Sequence, residues 1–340
     1  MHDNACYVKS RAAATCRVLL PARVAFLVMR RVGIIVAAGA ALLLAVGLAA
    51  ARVGEEPGAL SNWQALVLGA VQGLTELLPV SSSGHLILVP WLADWRYLET
   101  HSEFNKTFDV ALHLGTLVAV VAYFREDVVR LVAAWLRSIA RRSIRGADER
   151  VAWVVLIATV PAAAAGALGE GAIEDHLGEP WQIGILLAAF AVVLFLADRL
   201  PQRKGVRDLG YRDALAIGLA QTLALAPGVS RSGVSISAGR LLGLDRDAAA
   251  RFSFLILIPI VFGASVLRGV KDVALGYLPP GSTGPFVVGT ITAAVTGLVA
   301  IWALLGYLRR NDYSLFVTYR LAAALAVLLV IASGARAAHF

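Results

Sequence analysis

Apolar runs of about 18 to 20 residues recur along this 340-residue chain, and they constrain its fold more than any other feature. A helix needs about 20 apolar residues to cross the hydrocarbon core of a bilayer. Only 16% of the residues are charged, whereas a soluble domain carries about 25%. A large soluble core would require amphipathic helices with charged faces, and these runs have none. The sequence therefore predicts an all-α, polytopic membrane protein.

The basic residues, which give a formal net charge of +8, cluster between the apolar runs. In a soluble protein this excess would suggest nucleic-acid binding, but in a membrane protein Lys and Arg mark the cytoplasmic loops. Loops 125–150 and 199–212 are rich in arginine and are predicted to be cytoplasmic, whereas loop 170–181 has no Lys or Arg and is predicted to lie outside. We expect membrane lipid, and no nucleic acid, as a partner.

Residues 1–58 combine a basic arm with the apolar run 32–51. This run favours an uncleaved signal anchor, which would add an N-terminal transmembrane segment, although the core of a cleaved signal peptide has a similar pattern. Cys6 and Cys16 lie in the arm and predict neither a disulfide framework nor a metal site. Translation from Met29 would remove most of the arm and keep the apolar run.

Two pairs of apolar segments are joined by very short polar links. Segments 61–78 and 84–93 are separated by "PVSSS", and segments 211–226 and 232–243 by "PGVSR". The second member of each pair is too short to cross a bilayer. Each pair therefore predicts a re-entrant helical hairpin, whose irregular backbone must be covered by protein or by a water-filled cavity.

The two hairpins are also related in sequence. Residues 69–84 align without a gap on residues 218–233, which lie 149 positions later, and seven of the sixteen positions are identical. Three predicted spans lie between the hairpins, and an odd number places the second hairpin on the opposite face of the membrane. The pattern predicts an inverted-topology repeat, with halves at 59–200 and 201–340 and three spans after each hairpin. The two polar loops should then meet near the midplane of the bilayer.

The two hairpins carry most of the polar chemistry inside the apolar part of the chain. The first contributes Gln72, Glu76, Ser81, Ser82, Ser83 and His85, and the second contributes Ser230, Arg231, Ser232 and Ser235. An ionisable group at membrane depth is costly and indicates a functional site by default. Packing of serines, a proton-relay carboxylate or a structural ion pair could each explain one residue, but their joint occurrence favours a functional site.

These residue types suit a phosphorylated ligand. Arg231 offers a planar fork of donors for phosphate oxygens, and helix N-termini after the serines favour anions. Glu76 could hold a divalent cation, and His85 could serve as base, acid or nucleophile. A serine hydroxyl could attack if His85 or Glu76 accepts its proton. The set predicts phosphoryl transfer on a lipid phosphate.

Other polar residues are weaker candidates. His113 lies in the middle of a predicted span and is a secondary candidate for lining the site. Asp109 and Glu174 are predicted to lie at the membrane interface, and His176 and His339 at the surface.

The stretches "QGLTELLPVSSSGHL" and "PGVSRSGVSIS" resemble the two signature motifs of the bacitracin-resistance type undecaprenyl-diphosphatase family, (E/Q)xxxE followed by PxSSxGH, and PGxSRSxxT. The resemblance covers roughly residues 61–335. It implies a multi-pass enzyme of the bacterial plasma membrane that hydrolyses undecaprenyl diphosphate to the monophosphate, recycling the cell-wall carrier lipid and conferring bacitracin resistance. It further implies a divalent metal (Mg²⁺ or Ca²⁺), a site open to the extracytoplasmic side and, as an open option, a homodimer.

The resemblance also implies residue roles. Glu76 corresponds to the second motif carboxylate and is expected to bind the metal. Ser82 and His85 correspond to the catalytic serine and histidine, and Arg231 corresponds to the phosphate-binding arginine. The remaining motif positions are expected to bind substrate: Gln72, Ser81, Ser83, Ser230, Ser232 and Ser235. Gln72 takes the amide form of the first position, which leaves one carboxylate there, and Ser235 replaces the usual threonine.

The residues leave two questions open. Ser82 could attack phosphorus with His85 as base, which we favour slightly, or His85 could attack or activate water while the serines bind the phosphate oxygens. The inverted repeat is also shared with carriers, so a flippase or transporter of polyprenyl phosphates is an alternative function.

Overall fold

The structure of this chain, a computed structural model, describes residues 60–95, 97–98, 101–201, 203–275 and 282–338, without the side chains of 170–175 and 270–275. The predicted N-terminal segment within 1–58, the side chain of Glu174 and residue His339 lie outside this description.

The described residues form α-helices joined by short turns, with two 3₁₀ segments and no β-strand among them. In chain order the α-helices are α1 (Asn62–Leu77), α2 (Ser82–Ala93), α3 (Ser102–Tyr123), α4 (Arg125–Ala140), α5 (Ala147–His176), α6 (Pro180–Arg199), α7 (Tyr211–Thr222), α8 (Arg231–Leu241), α9 (Arg246–Leu275), α10 (Thr283–Leu308) and α11 (Ser314–Ala332).

Six of the described helices are long and apolar enough to cross a membrane. These are α3, α6, α10, α11 and the longer parts of α5 (Ala147–Gly169) and α9 (Arg246–Gly269). Three of them follow α2 and three follow α8. The all-α membrane class is therefore confirmed, and the shorter helices α1, α2, α7 and α8 coincide with the two predicted hairpins.

Helix α4 corrects the prediction of a loop over 125–150. The segment is too charged to resemble a span, but Arg125–Ala140 is helical, with Ala134 and Ser138 buried. Its inner face packs on α5, where the indole Nε1 of Trp153 donates to Ser138 Oγ at 2.9 Å. Mean hydropathy averages over both faces of an amphipathic helix, so it could not distinguish α4 from a polar loop.

Glycines allow the hairpin helices to approach the spans closely. A Cβ on Gly69 would lie 2.4 Å from the carbonyl oxygen of Gly289 in α10, and one on Gly218 would lie 2.7 Å from the carbonyl oxygen of Ala158 in α5. No side chain fits at these distances, so small residues are required where the helices cross. Gly69 and Gly218 are equivalent positions of the sequence repeat, and both hold a hairpin against a long helix.

Candidate active site

Two serines form matching turns at the tips of the hairpins. Ser81 precedes α2 with φ 76° and Ser230 precedes α8 with φ 77°, a left-handed region that is rare for residues with a side chain. Each hydroxyl caps the helix that follows: Ser81 Oγ accepts from the N–H of Gly84 at 3.4 Å, and Ser230 Oγ from the N–H of Gly233 at 3.0 Å. Both helices therefore begin at the same kind of tight turn.

The two turns touch each other. The backbone N–H of Gly228 in the second hairpin donates to Ser81 Oγ of the first at 3.1 Å. In the other direction, Ser232 Oγ donates to the carbonyl oxygen of Leu78 at 2.9 Å. The predicted meeting of the two polar loops is thus present as direct hydrogen bonds.

Arg320 of α11 binds both loops, and the sequence analysis did not include it. Its guanidinium is fully buried and donates to the carbonyl oxygens of Pro79 in the first loop (3.2 Å) and of Gly228 in the second (2.9 Å). Backbone carbonyls of both loops thus surround the buried cation, which fixes the distance between them. The signal that could have identified it is an arginine inside the otherwise apolar segment that forms α11.

Glu76 lies at the centre of the site and is 5% exposed. Its Oε1 accepts from Arg231 Nε at 3.2 Å, so one carboxylate joins the two hairpins. Its Oε2 accepts from Gln72 Nε2 at 3.3 Å and from the hydroxyl of Ser82. Ser82 is the first residue of α2, and this contact turns its oxygen towards a group that can accept its proton.

Arg231 keeps one donor free. Its Nη1 donates to the carbonyl oxygen of Ser253 at 2.9 Å, whereas its buried Nη2 has no partner among the described residues. The side chain lines a cavity of about 270 Å³ that Glu76, Ser82 and Ser83 also line. A buried donor without a partner is costly, so this guanidinium is prepared for an anionic ligand. The N-termini of α2 and α8 lie at the same cavity and also favour an anion.

His113 of α3 lines this cavity as well. Its Nδ1 lies 2.7 Å from the carbonyl oxygen of Asp109, which can only accept, so Nδ1 carries a hydrogen. Its Nε2 faces Glu76 Oε2 at 3.4 Å. Since both ring nitrogens face acceptors, His113 supports the Glu76 carboxylate as a doubly protonated imidazolium. Asp109 is half-buried, and His176 is exposed as predicted.

His85 has other partners. Its Nδ1 donates to the carbonyl oxygen of Ser81 at 2.7 Å, and its Nε2 accepts from the hydroxyl of Tyr319 in α11 at 2.7 Å. The ring stacks on Tyr319 with centroids 5.6 Å apart, and it is not part of the cavity wall. The structure thus brings Glu76, Ser82 and Arg231 together but does not bring His85 to them.

The other predicted substrate-binding residues divide into two groups. Ser83 lines the cavity and Gln72 contacts Glu76. The remaining serines are buried among protein groups: Ser81, Ser230, Ser232 and Ser235. Ser235, for example, donates to the carbonyl oxygen of Arg231 at 2.8 Å. These four hydroxyls bond to protein groups, whereas Arg231, Ser82 and Ser83 line the cavity.

A divalent cation does not fit this set of side chains by itself. Mg²⁺ and Ca²⁺ take about six or more oxygen ligands, and within the described ranges no group of three or more His, Cys, Asp and Glu residues is suitably placed. Both oxygens of Glu76 already accept hydrogen bonds from protein donors. A metal at Glu76 would have to displace one of these donors and take most of its ligands from elsewhere.

Comparison with known proteins gave concordant matches. The model of the family described as "Bacitracin resistance protein BacA" matches residues 65–326. Proteins named undecaprenyl-diphosphatase from Desulforudis audaxviator and Pelotomaculum thermopropionicum are each 45% identical over 273 residues, covering 80% of this chain and 98% and 97% of the respective relatives. One of the same name from Thermomicrobium roseum is 46% identical over 278 residues, covering 79% of this chain and 98% of the relative.

Proposed function

Since the chain belongs to the family of the bacitracin resistance protein BacA, we propose that it hydrolyses undecaprenyl diphosphate to undecaprenyl phosphate and inorganic phosphate. The names of its relatives support this reaction. The observation that carries it is the unpartnered Nη2 of Arg231, which lies in a cavity with the hydroxyl of Ser82 and the carboxylate of Glu76.

Arg231 binds the terminal phosphate in this proposal. The free Nη2 donates to a phosphate oxygen, while Nε stays on Glu76 and holds the guanidinium plane in place. The helix N-termini of α2 and α8, whose residues Ser82, Ser83 and Arg231 line the cavity, are proposed to favour the same anion. Fixed donors of this kind favour the transition state because they need no rearrangement as charge develops.

Ser82 is the proposed nucleophile and Glu76 the proposed acceptor of its proton. Ser82 Oγ forms a bond to the terminal phosphorus, the bond from phosphorus to the bridging oxygen breaks, and undecaprenyl phosphate leaves. Glu76 Oε2 accepts the hydroxyl proton, since it already accepts that hydrogen bond. Water then attacks the phosphoserine, Glu76 returns its proton to Ser82 Oγ, and dihydrogen phosphate is released.

This assignment changes the role expected for His85. Its two ring nitrogens are bonded to Ser81 and Tyr319, so we propose that it holds the turn before Ser82 and does not act as the base. His113 takes the place beside Glu76. The alternative, in which His85 attacks phosphorus, requires it to leave both partners.

The proposed function also includes a divalent metal and an orientation of the site in the membrane. We propose that Mg²⁺ or Ca²⁺ takes most of its oxygen ligands from the diphosphate, because among the described residues only one carboxylate, that of Glu76, lines this cavity. The matching turns at Ser81 and Ser230 support re-entrant hairpins in an inverted repeat. The arginine-rich loops support a site open to the extracytoplasmic side of a bacterial plasma membrane.

Bacitracin resistance and a homodimer are proposed from the family resemblance alone. They are tested by growth with the drug and by the mass of the purified protein in detergent.

The reaction is tested by phosphate release from undecaprenyl diphosphate, with purified protein in detergent. We expect release by the wild type and strong loss in Ser82→Ala, Glu76→Gln and Arg231→Ala, with no loss in the control His176→Ala, an exposed position. Release that all three site variants retain would refute the site. Movement of polyprenyl phosphate across proteoliposomes without hydrolysis would favour the flippase alternative.

A further inference from the structure

A second cavity, lined almost entirely by apolar atoms, shares two helices with the candidate active site. It is a groove of about 350 Å³ between α4, α5 and α9. Residues that line it include Leu131 and Trp135 of α4, Leu156 of α5, and Ile258 and Phe262 of α9. No charged side chain of the described residues lines it, so its natural occupant is a hydrocarbon.

The groove and the active-site cavity share two helices. On α9, Ile258 and Phe262 face the groove, whereas Ile260 and Ala264 face the cavity. On α5, Leu156 lines the groove, and the cavity wall lies less than two turns further along the helix. Helices α5 and α9 thus contribute both to the apolar part of the cavity wall and to the groove.

The surface between the two spaces is open. A Cβ built on Gly263, which lies between groove residue Phe262 and cavity residue Ala264, would meet no atom within 4 Å. A chain that leaves the polar end of the cavity along its apolar wall therefore reaches the groove without displacing a side chain at this position.

We propose that this groove binds the isoprenoid tail of the lipid diphosphate whose phosphates lie against Arg231. The inference rests on the proposed function and extends it to substrate selection. Arg231 and the helix N-termini recognise the diphosphate, which all polyprenyl diphosphates share. The groove adds burial of apolar surface that grows with chain length until the groove is full. It therefore selects long polyprenyl chains over short ones.

The test compares a long and a short substrate in one variant. Leu156 is half-buried in the groove, and Leu156→Trp fills that space with a larger apolar side chain. We expect KM for undecaprenyl diphosphate to rise about tenfold, equivalent to losing a few buried methylene groups, while KM for farnesyl diphosphate stays unchanged. Leu196→Trp, at an exposed apolar position of α6 outside the groove, is the matched control and should change neither value.

The possible outcomes separate the two proposals. Wild-type protein that releases phosphate from neither substrate refutes the proposed function. If the wild type hydrolyses both substrates and Leu156→Trp leaves the ratio of their KM values unchanged, the groove does not bind the isoprenoid tail.

A measurement without turnover uses undecaprenyl phosphate that carries a diazirine in its chain. We expect light-induced labelling of α4, α5 and α9 peptides, and competition by unlabelled undecaprenyl phosphate. Labelling elsewhere, or labelling that phospholipid competes away equally well, would overturn the assignment and would identify an ordinary membrane acyl chain as the occupant.

Discussion

Ser82 donates its hydroxyl hydrogen to Glu76, six residues earlier in the chain and on the opposite arm of the first hairpin. The same carboxylate accepts from Arg231, which lies 155 residues later in the second hairpin. The proposed nucleophile, proton acceptor and phosphate-binding cation are thereby joined through one side chain.

Replacing Glu76 by glutamine should remove proton transfer and keep most of the packing. We expect kcat to fall about 10²- to 10⁴-fold, because an amide oxygen is a poor base, while KM changes little. Phosphate release at saturating undecaprenyl diphosphate measures this. Gln72→Ala, which removes a neighbouring donor to the same carboxylate, is the control and should lower kcat much less. Equal losses in the two variants would argue against Glu76 as the base.

Arg231→Lys should be nearly as damaging as Arg231→Ala. Lysine keeps the charge but cannot donate to Glu76 and the substrate with one rigid plane. We expect kcat/KM to fall about 10²-fold or more in both variants, measured with undecaprenyl diphosphate. Near-normal activity of the lysine variant would mean that charge alone is recognised and that the free Nη2 is not the phosphate donor.

His113→Leu should lower kcat, and His113→Gln should restore much of it. Leucine removes the hydrogen-bonding group that faces Glu76, and loss of such a contact to a charged group costs about 1.5 to 3 kcal/mol, or roughly 10- to 100-fold in rate. Glutamine can donate again to the carboxylate. A thermal unfolding midpoint that is the same in both variants separates this effect from misfolding. If leucine and glutamine behave alike, His113 has no part in supporting Glu76.

Arg320→Met should destabilise the protein and separate the two loops. Buried carbonyl oxygens of Pro79 and Gly228 would lose their donor, so we expect a loss of about 3 kcal/mol or more in the free energy of unfolding together with loss of activity. Arg336→Met removes a partly exposed ion pair with Asp94 and should cost less than about 1 kcal/mol. Unfolding in detergent measures both. Full stability of Arg320→Met would contradict the role of this arginine.

Much of this arrangement could be predicted from the sequence. Length and hydropathy identified the six long apolar helices, and the duplicated Pro/Gly/Ser links marked the two polar loops. Glu76 and Arg231 could be grouped because an ionisable residue in an apolar segment indicates a functional site, and Ser82 because it lies in the polar link beside Glu76.

The remainder depended on contacts between distant parts of the chain. His85 lies close to Ser82 in sequence, but its side chain is oriented by Tyr319, which is 234 residues away. Arg320 belongs to an ordinary-looking apolar run, and its role follows only from the position of α11 beside both loops. Hydropathy could not detect α4, because its charged face offsets its apolar face.

The most direct test of the account is to find the residue that carries phosphate during turnover. Undecaprenyl diphosphate labelled in its terminal phosphate is mixed with wild-type protein, the reaction is stopped within the first turnover, and the labelled peptide is sequenced at neutral pH so that phosphohistidine also survives. We predict label on Ser82, and none in Ser82→Ala. Label on His85, or full turnover by Ser82→Ala, would contradict the account.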